Sequence, residues 1–131
     1  MNGIPRELDW VKELAACSIV KVFNELRMGV EEDVKAANLV RRRSPRTEFR
    51  LIPNNANDAF TVLHDGGPGP QVNFYLESNQ IKIDDLASNQ TFLVTLTLNN
   101  EGRCKLRING EEFEQWQVRR MALERLFFGL F

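Results

Sequence analysis

The sequence contains few of the residues that usually mark a metal centre or a disulfide scaffold. Among 131 residues there are two cysteines and one histidine. Cys17 and Cys104 stand in no CxxC or zinc-ligand spacing, and two thiols are too few for a framework of several disulfides. Because both cysteines lie in apolar segments, we expect them to be reduced and buried in the core.

Long apolar runs and an excess of either charge are also absent. No apolar stretch approaches the ~20 residues of a membrane-spanning helix, and Glu7 and Asp9 interrupt the region where a signal peptide would be apolar. We therefore expect a soluble, cytoplasmic protein that does not bind membranes. The formal net charge of −1 provides no overall field toward nucleic acid. The length and a hydrophobic fraction of 43% predict one globular domain over residues 1–131.

No catalytic constellation is recognisable. His64 stands beside Asp65, but no nucleophile motif accompanies the pair, and a metal would need two or three further donors. The segment DGGPGP, residues 65–70, lacks the spacing of a phosphate-binding loop, so we interpret it as a hairpin loop. Asp84 and Asp85 are adjacent on a predicted strand and point to opposite faces, which favours an exposed turn. We predict a protein that is not an enzyme and that uses no cofactor or metal.

The N-terminal part of the chain has the apolar periodicity of a helix. Apolar residues recur at steps of three and four, at Leu8, Val11, Ala15, Ile19, Val22 and Leu26. Gly29 predicts the end of this first helix, and Val30–Val40 predicts a second, shorter one. Trp10, Leu14 and Cys17 form another apolar row on a different flank, which predicts that the first helix is packed on two sides.

After residue 41 the period of the apolar residues becomes two, which is typical of strands. The predicted strands are Thr47–Ile52, Ala59–His64, Val72–Glu77, Gln80–Asp84, Thr91–Leu98, Arg103–Ile108 and Glu111–Trp116. Asn109-Gly110 predicts a tight type I′ hairpin, because both central residues of that turn need positive φ. Short links join antiparallel neighbours, so we expect a curved antiparallel meander of six or seven strands.

The order of these elements predicts an α+β fold. One face of the sheet is apolar and needs a cover, which two N-terminal helices and a C-terminal helix over Gln117–Leu130 would supply. This order resembles helix-grip ligand-binding folds in outline, although their first strand is missing and no motif of that family is present.

The C-terminal stretch is unusually apolar. We expect Leu123, Leu126 and Phe127 to close the core, while other apolar residues of this end point elsewhere. Together with two residues of the first helix, these form a candidate partner surface of Trp10, Leu14, Met121, Phe128 and Phe131. Contiguous exposed apolar patches are unusual on monomers, and aromatic residues and methionine are enriched at interface centres.

Five arginines form the strongest charge cluster of the chain. They are Arg41, Arg42, Arg43, Arg46 and Arg50. Such a cluster can contact phosphates, but only Phe49 interleaves with it, so bases would find no stacking platform. Acidic residues at 31–33 also offset its field. We interpret the cluster as a solvated junction between helix and strand, and nucleic acid is not an expected partner.

Three functions remain open at this point. The first is a non-enzymatic protein-interaction module that self-associates through apolar helix faces, so that its partner is a protein or a second copy. The second is a carrier of a small apolar ligand, with a cavity between the curved sheet and the C-terminal helix; several hundred Å3 of cavity would favour it, and a filled core would favour the module. The third is a nucleic-acid binder that uses the arginine cluster.

Overall fold

The computed structural model describes residues 9–40, 48–64 and 69–129, and its element order confirms the predicted α+β fold. The helices of this part of the chain are α1 (Trp10–Ala16), α2 (Ile19–Val40) and α3 (Gln115–Phe128). The strands are β1 (Phe49–Pro53), β2 (Ala59–His64), β3 (Gln71–Leu76), β4 (Ile81–Asp85), β5 (Gln90–Leu98), β6 (Cys104–Ile108) and β7 (Glu111–Phe113). Each strand pairs antiparallel with the next one in the chain, so the sheet order is β1 to β7.

The hairpin between β6 and β7 has the predicted geometry. Asn109 and Gly110 have φ of 52° and 82°, and Ile108 pairs with Glu111 across the turn. The strand after this turn is shorter than predicted, because β7 ends at Phe113. Trp116 therefore lies in the first turn of α3 and not at the end of a strand.

The core fills the space between one face of the sheet and the two longer helices. Its sheet residues are Phe49, Phe60, Val62, Val72, Phe74, Ile81, Ile83, Val94, Leu106 and Ile108. Its helix residues are Val22, Phe23, Leu26, Val30, Val34, Ala37, Val118, Ala122, Leu123, Leu126 and Phe127. At its centre the Phe60 ring stacks on Phe74 with centroids 4.5 Å apart and meets Phe23 of α2 at 5.3 Å. The predicted core role of the C-terminal helix is confirmed at Leu123, Leu126 and Phe127.

The two longer helices cross the sheet side by side in the same direction. Cys17, just before α2, is joined to Cys104 on β6, and α3 follows β7 directly. At the other end Asn38 of α2 holds β1: its Nδ2 donates to the Phe49 carbonyl at 3.0 Å, and its Oδ1 accepts from the Phe49 N–H at 2.7 Å. The ring of Phe127 from α3 lies 4.8 Å from that of Phe49. The C-terminal ends of both helices therefore meet at β1.

The predicted helix boundary at Gly29 is wrong. Helix α2 runs without interruption from Ile19 to Val40, and the break falls instead at Cys17 and Ser18. Gly29 is a packing glycine: a Cβ at this position would overlap the guanidinium of Arg119 on α3. Its missing side chain lets the two helices approach closely.

The cysteine prediction is also wrong. Cys17 and Cys104 form a disulfide between residues 87 positions apart in the chain, and both are only partly buried. The bridge attaches the junction of α1 and α2 to β6. Disulfides are rare in cytosolic proteins, so the cysteines no longer support the cytoplasmic location expected above.

Helix α1 is less packed than its two apolar flanks predict. None of its seven residues is buried, and Trp10 and Leu14 are 67% and 51% exposed. Its first turn is capped by Asp9, whose Oδ1 accepts from the Lys12 N–H at 3.1 Å. The disulfide that follows it is the strongest connection between α1 and the sheet.

The interpretation of Asp84 and Asp85 as one exposed turn is wrong at Asp85. The Asp85 side chain is 1% exposed. Its carboxylate accepts from the Ala87 N–H at 3.0 Å and from the Ser88 hydroxyl at 2.6 Å. Asp84 points to the other face, where it accepts from the Thr91 hydroxyl at 2.8 Å. Asp85 thus organises the turn from β4 to β5.

Candidate functional site

An open groove of about 450 Å3 lies between α2 and α3. Its deepest lining comes from Ala37, Leu123 and Phe127, which are also part of the core. Ala36 and Val40 line it from α2 and are solvent-exposed. Because both helices already bury their inner faces against the sheet, the groove is formed by the outer flanks of the two helices.

Local sequence explains why a recess forms here. Along α2 the lining positions are 33, 36, 37 and 40, which share one helix face at steps of three and four. Two of these positions are alanines, whose short side chains leave space beside α3. The groove is therefore a consequence of small residues on α2 facing large residues on α3.

Two aromatic residues of α3 stand at the groove with much of their surface in solvent. Trp116 and Phe128 are each 53% exposed and both line the groove. Phe128 meets the buried ring of Phe127 edge-on, with centroids 6.5 Å apart and an interplanar angle of 87°. As the sequence predicts, the two neighbouring rings differ in burial: Phe127 lies in the core and Phe128 lies outside it.

Arg119 fixes α3 to α2 at the groove. Its Nε donates to Asp33 Oδ2 at 2.7 Å, and its Nη1 donates to Gln115 Oε1 at 2.7 Å. The side chain lies over Gly29, where no Cβ obstructs it. Because its guanidinium is held by two acceptors in the half-buried helix interface, we assign Arg119 a structural role.

The other charged pair of the groove is more exposed. Arg120 Nε lies 3.2 Å from Glu124 Oε1, one helical turn away, and the two side chains are 65% and 40% exposed. The groove is thus lined by two arginines and two acidic residues, Asp33 and Glu124. Their formal charges cancel, so these four residues give the groove no net formal charge.

The residues of the predicted partner surface fall in different parts of the molecule. Trp10 and Leu14 lie on α1, which contacts β6, whereas Phe128 lies at the end of α3 that reaches β1. Met121 is half-buried and packs against the core, and Phe131 lies outside the described residues. The structure therefore does not group Phe128 with α1.

The exposed aromatic residue that lines the same groove as Phe128 is Trp116, which the alternation of apolar residues predicted to end a strand. A signal for it exists in the sequence. Trp116, Arg120, Glu124 and Phe128 follow one another at intervals of four, the spacing of a ridge along a helix surface. Glu114 and Gln117 mark the start of that helix, since the Glu114 N–H donates to Gln117 Oε1 at 2.8 Å.

The arginine cluster is largely outside the described part of the chain. Arg41, Arg42, Arg43 and Arg46 lie there, so their role stays a prediction. Arg50 is exposed on β1, next to the buried Phe49, and so it points to the sheet face opposite the helices.

The remaining sequence candidates form no assembled site within the part of the chain that the structure describes. His64 ends β2 and is half-buried, with its ring edge-on to Phe49 at 5.1 Å. The loop DGGPGP lies mostly outside the described residues, but β2 and β3 on either side of it pair antiparallel. Within residues 9–40, 48–64 and 69–129, no group of three or more His, Cys, Asp or Glu side chains is placed to hold a metal. In the same ranges no helix has the length and apolar character of a membrane span.

Comparison with models of known protein families, with curated proteins and with solved structures gave no significant match.

Proposed function

We propose that this chain is a protein-interaction module that self-associates through the groove between α2 and α3. The observation that carries the proposal is the pair of half-exposed aromatic residues, Trp116 and Phe128, which line the apolar groove from the two ends of α3. Aromatic side chains that are only partly covered in the free protein are typical anchors at the centres of interfaces.

A second copy fits this surface better than a strongly charged partner. In a two-fold dimer one patch must complement itself. This patch combines protruding rings with a recess over Ala36 and Ala37, and its two positive and two negative residues cancel. A highly acidic or basic partner would leave half of those charges facing a like charge.

A small apolar ligand in the same groove is the second candidate. The volume of about 450 Å3 lies within the roughly 300–1,000 Å3 of small-molecule sites. Such a site would lie between α2 and α3, whereas side chains between the sheet and α3, such as Phe74 and Leu123, belong to the buried core.

Sedimentation velocity over a concentration series tests the proposal. We expect the wild type to show a concentration-dependent monomer–dimer equilibrium and Phe128→Asp to remain monomeric, because a carboxylate would lose its hydration at the contact. Leu86→Asp is a matched control, since Leu86 is 52% exposed in a turn away from the groove, and it should associate like the wild type.

A wild type that stays monomeric throughout would contradict self-association. Saturable one-to-one binding of anilinonaphthalene sulfonate, an anionic fluorescent probe with apolar aromatic rings, by that monomer would then favour the carrier, provided that Ala36→Phe abolishes the binding by filling the groove.

A further inference from the structure

We infer that two copies of the chain pack α3 against α3 in antiparallel orientation, about a two-fold axis at the level of Ala122. This inference rests on the proposed self-association and specifies its partner surface and register. It is based on the order of four side chains along the outer ridge of α3.

The four side chains of the ridge are placed symmetrically about its centre, with aromatic residues at both ends and opposite charges in the middle. Trp116 and Phe128 each lie six residues from Ala122, and Arg120 and Glu124 each lie two residues from it. All four side chains reach solvent and line the groove. Aromatic residues therefore occupy both ends of the ridge, and charges of opposite sign occupy its middle.

An antiparallel two-fold operation brings complementary groups together. It places Trp116 against the partner's Phe128 and Arg120 against the partner's Glu124, and the symmetry repeats each contact. The two aromatic ends are about 18 Å apart at ~1.5 Å of rise per residue, so two ring contacts would bracket the charged centre. Aromatic pairs are favourable at centroid separations of about 4.5–7 Å.

A parallel pairing of the same ridges is disfavoured. It would set Arg120 against the partner's Arg120 and Glu124 against the partner's Glu124. Like charges across an interface oppose association, whereas the antiparallel register extends the Arg120–Glu124 pair of each copy into an alternating set of four charges. Ridges formed by steps of four also interdigitate with those of a facing helix, in the commonest helix-packing class.

Two single charge reversals test the register. Arg120→Glu makes the middle of the ridge entirely acidic, and Glu124→Arg makes it entirely basic. Each variant alone should dimerise with a dissociation constant raised about tenfold or more, because the symmetry repeats every unfavourable contact. An equimolar mixture of the two variants should recover association as a heterodimer, and the double variant Arg120→Glu/Glu124→Arg should associate like the wild type.

Dissociation constants come from sedimentation, and circular dichroism checks that each variant is folded. Wild-type affinity in both single variants, alongside loss of association in Phe128→Asp, would overturn the antiparallel register while the proposed function stands. Failure of the mixture to associate would also overturn the register. A wild type that is monomeric at every concentration would overturn the proposed function together with this inference.

Discussion

Helices α1 and α3 both place a tryptophan in their first turn and both expose apolar side chains, yet they are attached to the sheet by different means. Helix α3 buries five residues in the core, whereas α1 buries none and is followed directly by the disulfide to β6. The exposed rings of Trp116 and Phe128 therefore stand on a helix that is held in place by its own buried residues. For this reason we place the proposed binding surface on α3, whose exposed aromatic residues stand on a helix that is packed into the core.

The largest expected effect comes from the core side of α3. Phe127→Ala should lower the free energy of unfolding by about 3–5 kcal/mol, because it leaves a cavity against Phe49. Phe128→Ala, one residue further along, should lower it by about 1 kcal/mol or less, since that ring is 53% exposed. Chemical denaturation measures both, and equal losses would contradict the assignment of only one ring to the core.

Breaking the covalent attachment of α1 should have the next largest effect. Cys17→Ser/Cys104→Ser should lose about 2–4 kcal/mol, as expected for a disulfide that constrains the unfolded chain. Hydrogen exchange should show faster exchange of the α1 amides, with α2 and α3 still protected. Unchanged protection of α1 would mean that its non-covalent contacts with β6 hold it without the bridge.

Gly29→Ala tests how closely α3 is held against α2. Alanine is more favourable than glycine in a helix by about 1 kcal/mol. Here, however, its Cβ would push the Arg119 side chain away from Gly29. Overpacking of this kind typically costs about 1–3 kcal/mol. We expect a net loss of stability in the wild-type background.

The same substitution should change sign when Arg119 is absent. In an Arg119→Ala background, Gly29→Ala should stabilise the protein by about 1 kcal/mol through helix propensity alone. A double-mutant cycle by chemical denaturation measures this coupling. A destabilisation of the same size in both backgrounds would show that Arg119 is not the obstructing group.

The smallest effect is expected on α1. Trp10→Ala should change the free energy of unfolding by no more than about 0.5 kcal/mol, because the side chain is 67% exposed on a helix without buried residues. It should also leave dimerisation unchanged. Trp116→Ala is its counterpart on α3 and should weaken dimerisation, so a weakened dimer in Trp10→Ala would bring α1 into the interface.

Much of the fold could be predicted from the sequence because its determinants are local. Alternation with a period of two marked the inward residues of the strands, such as Phe74 and Ile83, and Asn109-Gly110 marked the last hairpin. These signals depend on residues only a few positions apart, and every strand pairing of this sheet joins neighbours in the chain.

The failures involve contacts between distant residues. Gly29 has the sequence appearance of a helix end, and its packing role exists only because Arg119 comes to lie over it. Cys17 and Cys104 have no spacing that predicts a bond, since their proximity depends on how α2 crosses the sheet. The groove does not follow from the predicted elements, because a strand over Glu111–Trp116 removes one of its two exposed aromatic residues from α3.

The nearest-neighbour order of the sheet has a consequence for the route by which the chain folds. Each of the six strand pairings can form as a hairpin without closing a long loop, so the sheet has a low contact order, which favours rapid folding. The disulfide joins residues 87 positions apart and depends on α2 lying across the finished sheet. We therefore expect oxidation to follow assembly of the sheet, with the native strand order already in place when the two thiols first meet.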